Sequence, residues 1–117
     1  MIVLQGNDIA NATTEPTFGL TQRALKRLRD LLATDPRIER AIGYGSRAKG
    51  NCRHGSDIDI ALDAPSMDFD AFLRLCTAVD DLMLPWHVDL SLLSHIDNPA
   101  LLDLIARVGK PLWIRKE

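Results

Sequence analysis

The sequence lacks the features that mark several large classes of protein. It has no excess of positive charge, because 16 Asp and Glu residues outweigh 14 Lys and Arg residues and the formal net charge is −2. Proteins that coat nucleic acid are usually strongly basic, so we expect no direct nucleic-acid binding. No apolar run approaches the roughly 18 residues of a membrane span. The N-terminus has no basic region followed by an apolar stretch, as a secretory signal would. We therefore expect a cytoplasmic protein with no membrane segment.

Cysteine is scarce as well. Cys52 and Cys76 form no CxxC pair and have no ligand-like spacing with histidine, so we expect both to be reduced thiols. Internal repeats and low-complexity tracts are also missing. What the sequence does have is 117 residues of which 46% are apolar, and this fits one domain around one packed core.

The first residues differ in composition from the rest. They are rich in turn formers such as Gly6 and Pro16. We predict a loose N-terminal arm over residues 1–16, in which Met1 to Leu4 can add a short edge strand. The folded domain is predicted over residues 17–117.

Hydrophobic periodicity divides that domain into alternating elements. Apolar residues at helical spacing predict amphipathic helices, and period-two alternation predicts strands. The predicted helices cover residues 18–34, 68–84 and 98–109, and the predicted strands cover residues 38–44, 57–62, 86–93 and 112–114. Alternating elements of this kind predict an α+β fold in which helices pack on one small mixed β-sheet.

Two aspartates dominate the second predicted strand. Residues two apart in a strand point to the same face, about 6.6 Å apart at roughly 3.3 Å per residue. Asp57 and Asp59 therefore present two carboxylates to one side, while Ile58 and Ile60 face the core. Like charges this close repel, so a cation is the natural compensation. Hard oxygen ligands suit magnesium, which commonly takes one or two carboxylates together with substrate phosphates.

A third aspartate occupies the polar side of the third predicted strand. Asp89 lies between Val88 and Leu90 and faces away from them. If this strand neighbours the strand of Asp57 and Asp59, the three carboxylates form one cluster. Such a cluster can hold two metal ions about 4 Å apart, one at the attacking oxygen and one at the phosphates.

The loop after the first predicted strand is suited to phosphate. Gly45 and Ser46 follow the strand end directly, and glycine lets a phosphate approach the backbone. Arg47, Lys49 and Arg53 belong to the same loop, where their charges can neutralise a triphosphate. A lone Gly-Ser is usually a turn, and a lone Asp-x-Asp is usually a solvated strand face. Their combination with a later aspartate is far more specific.

A dinucleotide-binding fingerprint is imitated here but does not fit. Residues 43–48 satisfy G-x-G-x-x-A, and Asp63 follows Gly43 by twenty residues. The fingerprint requires a long helix directly after the glycines. Residues 49–56 offer no apolar face for such a helix. The absence of G-K-[ST] also excludes a Walker P-loop.

Three motifs together resemble the minimal nucleotidyltransferases of the polymerase-beta-like superfamily. They are the runs Gly45 to Gly50, Ser56 to Ile60 and Val88 to Leu90, and the ending from Asn98 to Leu112 is also similar. The resemblance covers roughly residues 20–114. It implies the nucleotidyltransferase fold, and it identifies the superfamily more specifically than the substrate.

The resemblance also implies a function. Members of the minimal group act as antitoxins that transfer AMP from ATP to a tyrosine of a helical HEPN-domain ribonuclease toxin. Carried over to this sequence, Gly45, Ser46 and Arg47 would hold the nucleotide phosphates. Asp57, Asp59 and Asp89 would bind Mg²⁺ and perform catalysis. The working unit would then be a hetero-oligomer with the toxin.

Two other functions remain open from the sequence. The domain can neutralise its partner by binding alone, with the carboxylates serving as scaffold. It can also use a different acceptor, such as a small molecule or an RNA end. The retention of every motif carboxylate argues against the first function. The absence of a second domain to hold such acceptors argues against the second.

Overall fold

A computed structural model describes residues 18–45 and 57–116 of the chain. Within these residues three α-helices and four β-strands alternate, with one 3₁₀ turn after the third strand, which confirms the predicted α+β fold. In chain order the elements are α1 (Gln22–Ala33), β1 (Arg40–Tyr44), β2 (Ile58–Asp63), α2 (Phe69–Asp80), β3 (Val88–Leu92), the 3₁₀ turn (Leu93–His95), α3 (Pro99–Val108) and β4 (Lys110–Ile114).

The four strands form one mixed sheet in the order β3-β2-β1-β4. β1 is antiparallel to β2 and to β4, whereas β2 and β3 are parallel. The parallel pair is joined through α2, because parallel strands need a crossover connection. The antiparallel pairing of β1 with β2 also agrees with the rejection of a dinucleotide fingerprint, which requires a parallel pair there.

One face of the sheet carries the hydrophobic core. Period-two alternation along β2 sends Ile58, Ile60 and Leu62 to this face, and all three side chains are essentially inaccessible to solvent. The apolar stripe of α1 packs on the same core through Leu28 and Leu32. Burial of these aliphatic side chains contributes roughly 1.5–3 kcal/mol each, so this face holds the sheet together.

The opposite face of the sheet is covered in part by α3. α3 contacts β1. A cavity of about 460 Å³ between the helix and the sheet has a mainly apolar lining that includes Ile42, Ile105 and Leu102. None of the residues proposed for catalysis lines this cavity. The face over β2 and β3 carries aspartates instead.

Two predicted helices are shorter than their apolar patterns. The predicted helix 18–34 begins only at Gln22, because Phe18 and Gly19 have left-handed φ angles of 58° and 73° and form a turn. Thr21 then caps the helix by accepting a hydrogen bond from the Ala24 amide at 3.1 Å. The predicted helix 68–84 ends at Asp80, and Met83 has a φ of 56°.

The remaining boundaries differ by a few residues. β1 begins at Arg40 rather than 38, β2 begins and ends one residue later than predicted and so leaves Asp57 outside the strand, and β3 occupies only the centre of the predicted range. β4 begins two residues earlier than predicted, at Lys110. Fraying and competing turns at element ends explain shifts of this size.

Some expectations concern residues that are not described. The arm over residues 1–16, the strand at Met1 to Leu4 and the thiol of Cys52 all lie outside the described ranges, so the division into arm and domain stays a prediction. Cys76 is a free, half-buried cysteine. In the two described segments, no helix combines the length and the apolar character that crossing a bilayer requires.

Candidate active site

Two of the three predicted carboxylates lie side by side on neighbouring strands. Asp59 in β2 and Asp89 in β3 are direct register partners in the parallel pair. Directly opposed residues of neighbouring strands share a face, so both carboxylates lie on the face away from the core. Asp89 is exposed and Asp59 is half-buried. The condition that the two strands are neighbours is therefore met.

Asp57 lies immediately before β2 and is exposed. Its charge acts on Asp59 as the charge of Asp89 does, because Asp57 and Asp89 both raise the pKa of Asp59. The three predicted carboxylates thus interact electrostatically, although only Asp59 and Asp89 are paired by the sheet itself.

Asp59 has an environment that disfavours its charge. Burial is the main cause that raises the pKa of its carboxyl, and repulsion by Asp89 and then Asp57 acts in the same direction. His87, immediately before β3, opposes this effect. A half-buried carboxylate among like charges is a site that gains from a bound cation.

Gly45 directly follows β1 and lies beside Asp59. Its φ of +85° lies in the left-handed region, which glycine occupies without steric penalty. A Cβ at this position would come within 2.5 Å of Asp59 Oδ2. The glycine therefore serves two purposes: it lets the chain turn after β1, and it leaves space above the Asp59 carboxylate.

Tyr44 is a member of this face that sequence reasoning missed. It lies in β1 as the register partner of Asp59, and the Ser91 side chain in β3 influences the pKa of its hydroxyl. Burial raises the pKa of Tyr44, with a further contribution from Asp59 and Asp89, while Ser91 opposes the shift. The phenol is consequently neutral near pH 7. Strand alternation placed Tyr44 on this face, but its partner on β3 is distant in sequence.

The donor set fits magnesium better than a metal enclosed by protein alone. Among the described residues, no three His, Cys, Asp or Glu side chains are gathered closely enough to hold a metal ion by themselves. Magnesium commonly binds one or two carboxylates and completes its shell with water and substrate phosphates. Asp59 and Asp89, with Asp57 beside them, provide hard oxygen donors of this kind.

The remaining predicted binding residues are not described. Ser46 and Arg47, together with Lys49 and Arg53 of the same loop, fall between the two described segments. Gly45, at the end of the first segment, is the only predicted phosphate-binding residue with a described position.

Comparison with known proteins agrees with this fold. Residues 26–117 match the family model described as polymerase beta, nucleotidyltransferase. The match spans most of the chain, so the protein belongs to the polymerase-beta nucleotidyltransferase family. Among curated proteins no match was found.

Solved structures narrow the resemblance. A toxin-antitoxin complex with AMP-PNP contains a chain with a TM-score of 0.63 and 26% identity, and the match covers 83% of this chain and 76% of that one. A chain of the MntA-HepT toxin-antitoxin complex has a TM-score of 0.61 and 25% identity, with 81% and 74% covered.

A third structure is similar in fold. It contains a tri-AMPylated HEPN toxin of Shewanella oneidensis with its MNT antitoxin, at a TM-score of 0.62 and 24% identity, with 82% and 74% covered. At that identity the similarity concerns the fold alone. Within the nucleotidyltransferase family, then, the chain resembles the minimal nucleotidyltransferases of toxin-antitoxin pairs, as its motifs predict.

Proposed function

We propose that the protein is a magnesium-dependent protein adenylyltransferase that acts as an antitoxin. It transfers AMP from ATP to a tyrosine of a partner HEPN-domain ribonuclease and thereby inactivates that toxin. The observation that carries this proposal is the register pairing of Asp59 with Asp89 beside the left-handed Gly45. This arrangement brings acidic ligands and a space for phosphate to the same end of the sheet.

The proposed catalytic step requires only ATP and the acceptor phenol as reactants. The phenol oxygen of the acceptor attacks the α-phosphorus of ATP, the bond from that phosphorus to the bridging oxygen breaks, and pyrophosphate leaves from the opposite side. The face of the sheet away from the core, which carries Asp59 and Asp89, is called the reactive face. Asp89 is exposed on this face and accepts the phenol proton. The products are an AMP-tyrosine phosphodiester and pyrophosphate.

The chain's own residues hold and orient the donor. Gly45 leaves room for phosphate beside Asp59, and Ser46 and Arg47 are assigned the nucleotide phosphates on motif grounds. Asp57, Asp59 and Asp89 are assigned the magnesium ligands. When bound there, magnesium would neutralise the triphosphate and lower the barrier to losing the phenol proton.

The donor and the partner have support from two solved structures that are 25–26% identical to this chain. One is a toxin-antitoxin complex with AMP-PNP, an ATP analogue, and the other is the MntA-HepT complex. Transfer to a tyrosine rests on the resemblance of the motifs to the minimal nucleotidyltransferases. An added AMP brings negative charge and bulk, which would repel an approaching RNA phosphate and explain the loss of toxin activity.

A growth-rescue assay tests the proposal. The HEPN-domain protein encoded beside this chain is expressed with wild-type protein or with the Asp57→Asn, Asp59→Asn double variant. These changes keep the side-chain volume and remove two ligand charges, so wild type should rescue growth and the double variant should not. Rescue by the double variant would make catalysis dispensable, and neutralisation by binding alone would then replace the proposal.

A further inference from the structure

Among the residues that the structure describes, the outer edge of β3 has no strand beside it. β3 is the last strand of the sheet on its side, and within residues 18–45 and 57–116 no further strand pairs with it. The Ile58 amide donates to the His87 carbonyl at 2.9 Å, and Ile58 is the register partner of Val88. In a parallel pair this pattern directs the backbone groups of Val88 and Leu90 away from β2. Their N–H and C=O groups line the open edge.

Asp89 lies between these two outward-facing residues. Its side chain is on the reactive face beside Asp59, on the edge strand of the described sheet. An acceptor oxygen that gives its proton to Asp89 is most directly delivered from that side. β-Strand addition to an exposed edge supplies such delivery, because the main chain provides affinity and alternate side chains point to one face.

Apolar surface continues beyond the end of β3. The ring of Phe69, at the start of α2, stacks on His95 in the 3₁₀ turn that follows β3, with ring centroids 6.4 Å apart. Phe69 is 55% exposed, and Leu73, one helical turn later, is 48% exposed. Exposed apolar residues grouped at an open sheet edge are characteristic of a protein-binding surface.

We propose that the acceptor protein docks as an extended segment along the outer edge of β3, with its target tyrosine opposite Asp89. This inference rests on the proposed adenylyl transfer and specifies how its acceptor binds. The segment pairs with the backbone of Val88 and Leu90. Its apolar residues continue onto Phe69 and Leu73.

A proline substitution tests the docking edge. Proline is tolerated at the first residue of an edge strand when its nitrogen faces outward, and Val88 is such a residue. Val88→Pro removes one outward N–H, so the KM for the purified HEPN-domain partner should rise about two- to tenfold relative to Val88→Ala, which keeps that N–H. Calorimetric binding of ATP with magnesium should be the same in the two variants.

Equal KM values for the two variants would overturn the docking inference and leave the proposed function intact. Absence of transfer by the wild-type protein would instead count against the proposed function itself, whatever the two variants do. These two failures are therefore distinguishable.

Amide exchange on the wild-type protein gives a second test that needs no substitution. In the free chain the outward amides of Val88 and Leu90 should exchange faster than those of Asp89 and Ser91, which bond to β2. Adding the HEPN-domain partner should slow exchange at Val88 and Leu90 by at least about tenfold. Unchanged exchange at Val88 and Leu90, under conditions in which the partner becomes modified, would overturn the inference.

Discussion

At the scale of single residues, Gly45 links the backbone to the reactive face. Its left-handed φ of +85° turns the chain at the end of β1, and its missing side chain leaves Asp59 Oδ2 unobstructed. The backbone conformation and the space beside Asp59 thus each require glycine. The sequence motif, interpreted only as a phosphate-binding loop, does not distinguish these two requirements.

Gly45→Ala should harm both stability and transfer. An L-residue in the left-handed region costs roughly 1–2 kcal/mol, and the new Cβ must push the Asp59 carboxylate aside. Gly19→Ala is the matched control, because Gly19 also has a left-handed φ, of 73°, in the turn before α1. We expect similar losses of unfolding free energy in denaturant titrations, but a loss of AMP transfer only for Gly45→Ala. Equal transfer by both variants would refute the role assigned to Gly45.

Asp59 should lower stability when no cation is bound. Its pKa is raised by burial and by two neighbouring carboxylates, so the folded state takes up the proton more readily than the unfolded state. Stability therefore falls as the pH rises through this pKa. In chelator at pH 7, Asp59→Asn should leave the free energy of unfolding unchanged or raise it.

Asp63→Asn on the same strand provides the contrast for that measurement. Asp63 accepts a hydrogen bond from Arg40 at 3.0 Å, and removing a partly exposed pair of this kind costs about 0–1 kcal/mol. A clear loss of stability in Asp59→Asn, larger than in Asp63→Asn, would show that the Asp59 carboxylate is structural.

At the scale of elements, helix caps determine where α2 begins. Asp68 accepts a hydrogen bond from the Ala71 amide at 2.8 Å, which satisfies one of the free donors of the first turn. α2 connects the two parallel strands that carry Asp59 and Asp89, so its correct start supports the register of the reactive face.

Asp68→Ala should cost about 1 kcal/mol of stability, as typical N-cap deletions do. Asp68→Asn keeps a side-chain oxygen that can accept from the Ala71 amide and should lose much less. Chemical denaturation of both variants distinguishes the cap from general charge effects. Equal destabilisation by the two substitutions would show that the charge of Asp68 matters and that its acceptor oxygen does not.

The sequence allowed the elements to be predicted, and also the strand face on which Asp59 and Asp89 lie, but not the ends of the helices. The apolar pattern around α2 continues to Met83, yet Pro85 disfavours helical geometry at the residue before it, and the helix ends at Asp80. Phe18 fits the periodicity of α1, but its ring packs over Gly43 from a turn. That contact joins distant segments, and periodicity carries no information about it.

The site could be predicted in part for the same reason. Alternation within a strand predicted that Asp59 and Asp89 avoid the core, since this depends on local geometry. Their pairing depended on which strands are neighbours, and the sequence offered that only as a condition. The influence of Ser91 on Tyr44 was missed because the two residues lie on β3 and β1, which are separated by β2.

At the scale of the whole molecule, the two faces of the sheet have different roles. Ile60 and Leu62 anchor one face to the core, while Asp59 and Asp89 occupy the other. α3 contacts β1 on the second face, and Asp89 on the last strand stays exposed. This separation of the core from the acidic face agrees with the proposed function, in which a second protein supplies the acceptor.

The intact mass of the partner tests the central claim most directly. The purified HEPN-domain protein is incubated with ATP, magnesium and this protein, and its mass is measured before and after. We predict an increase by one or more adenylyl groups on tyrosine, and none in chelator or with the Asp57→Asn, Asp59→Asn double variant. An unchanged mass with the wild-type protein and magnesium, in a complex that nevertheless forms, would contradict the account.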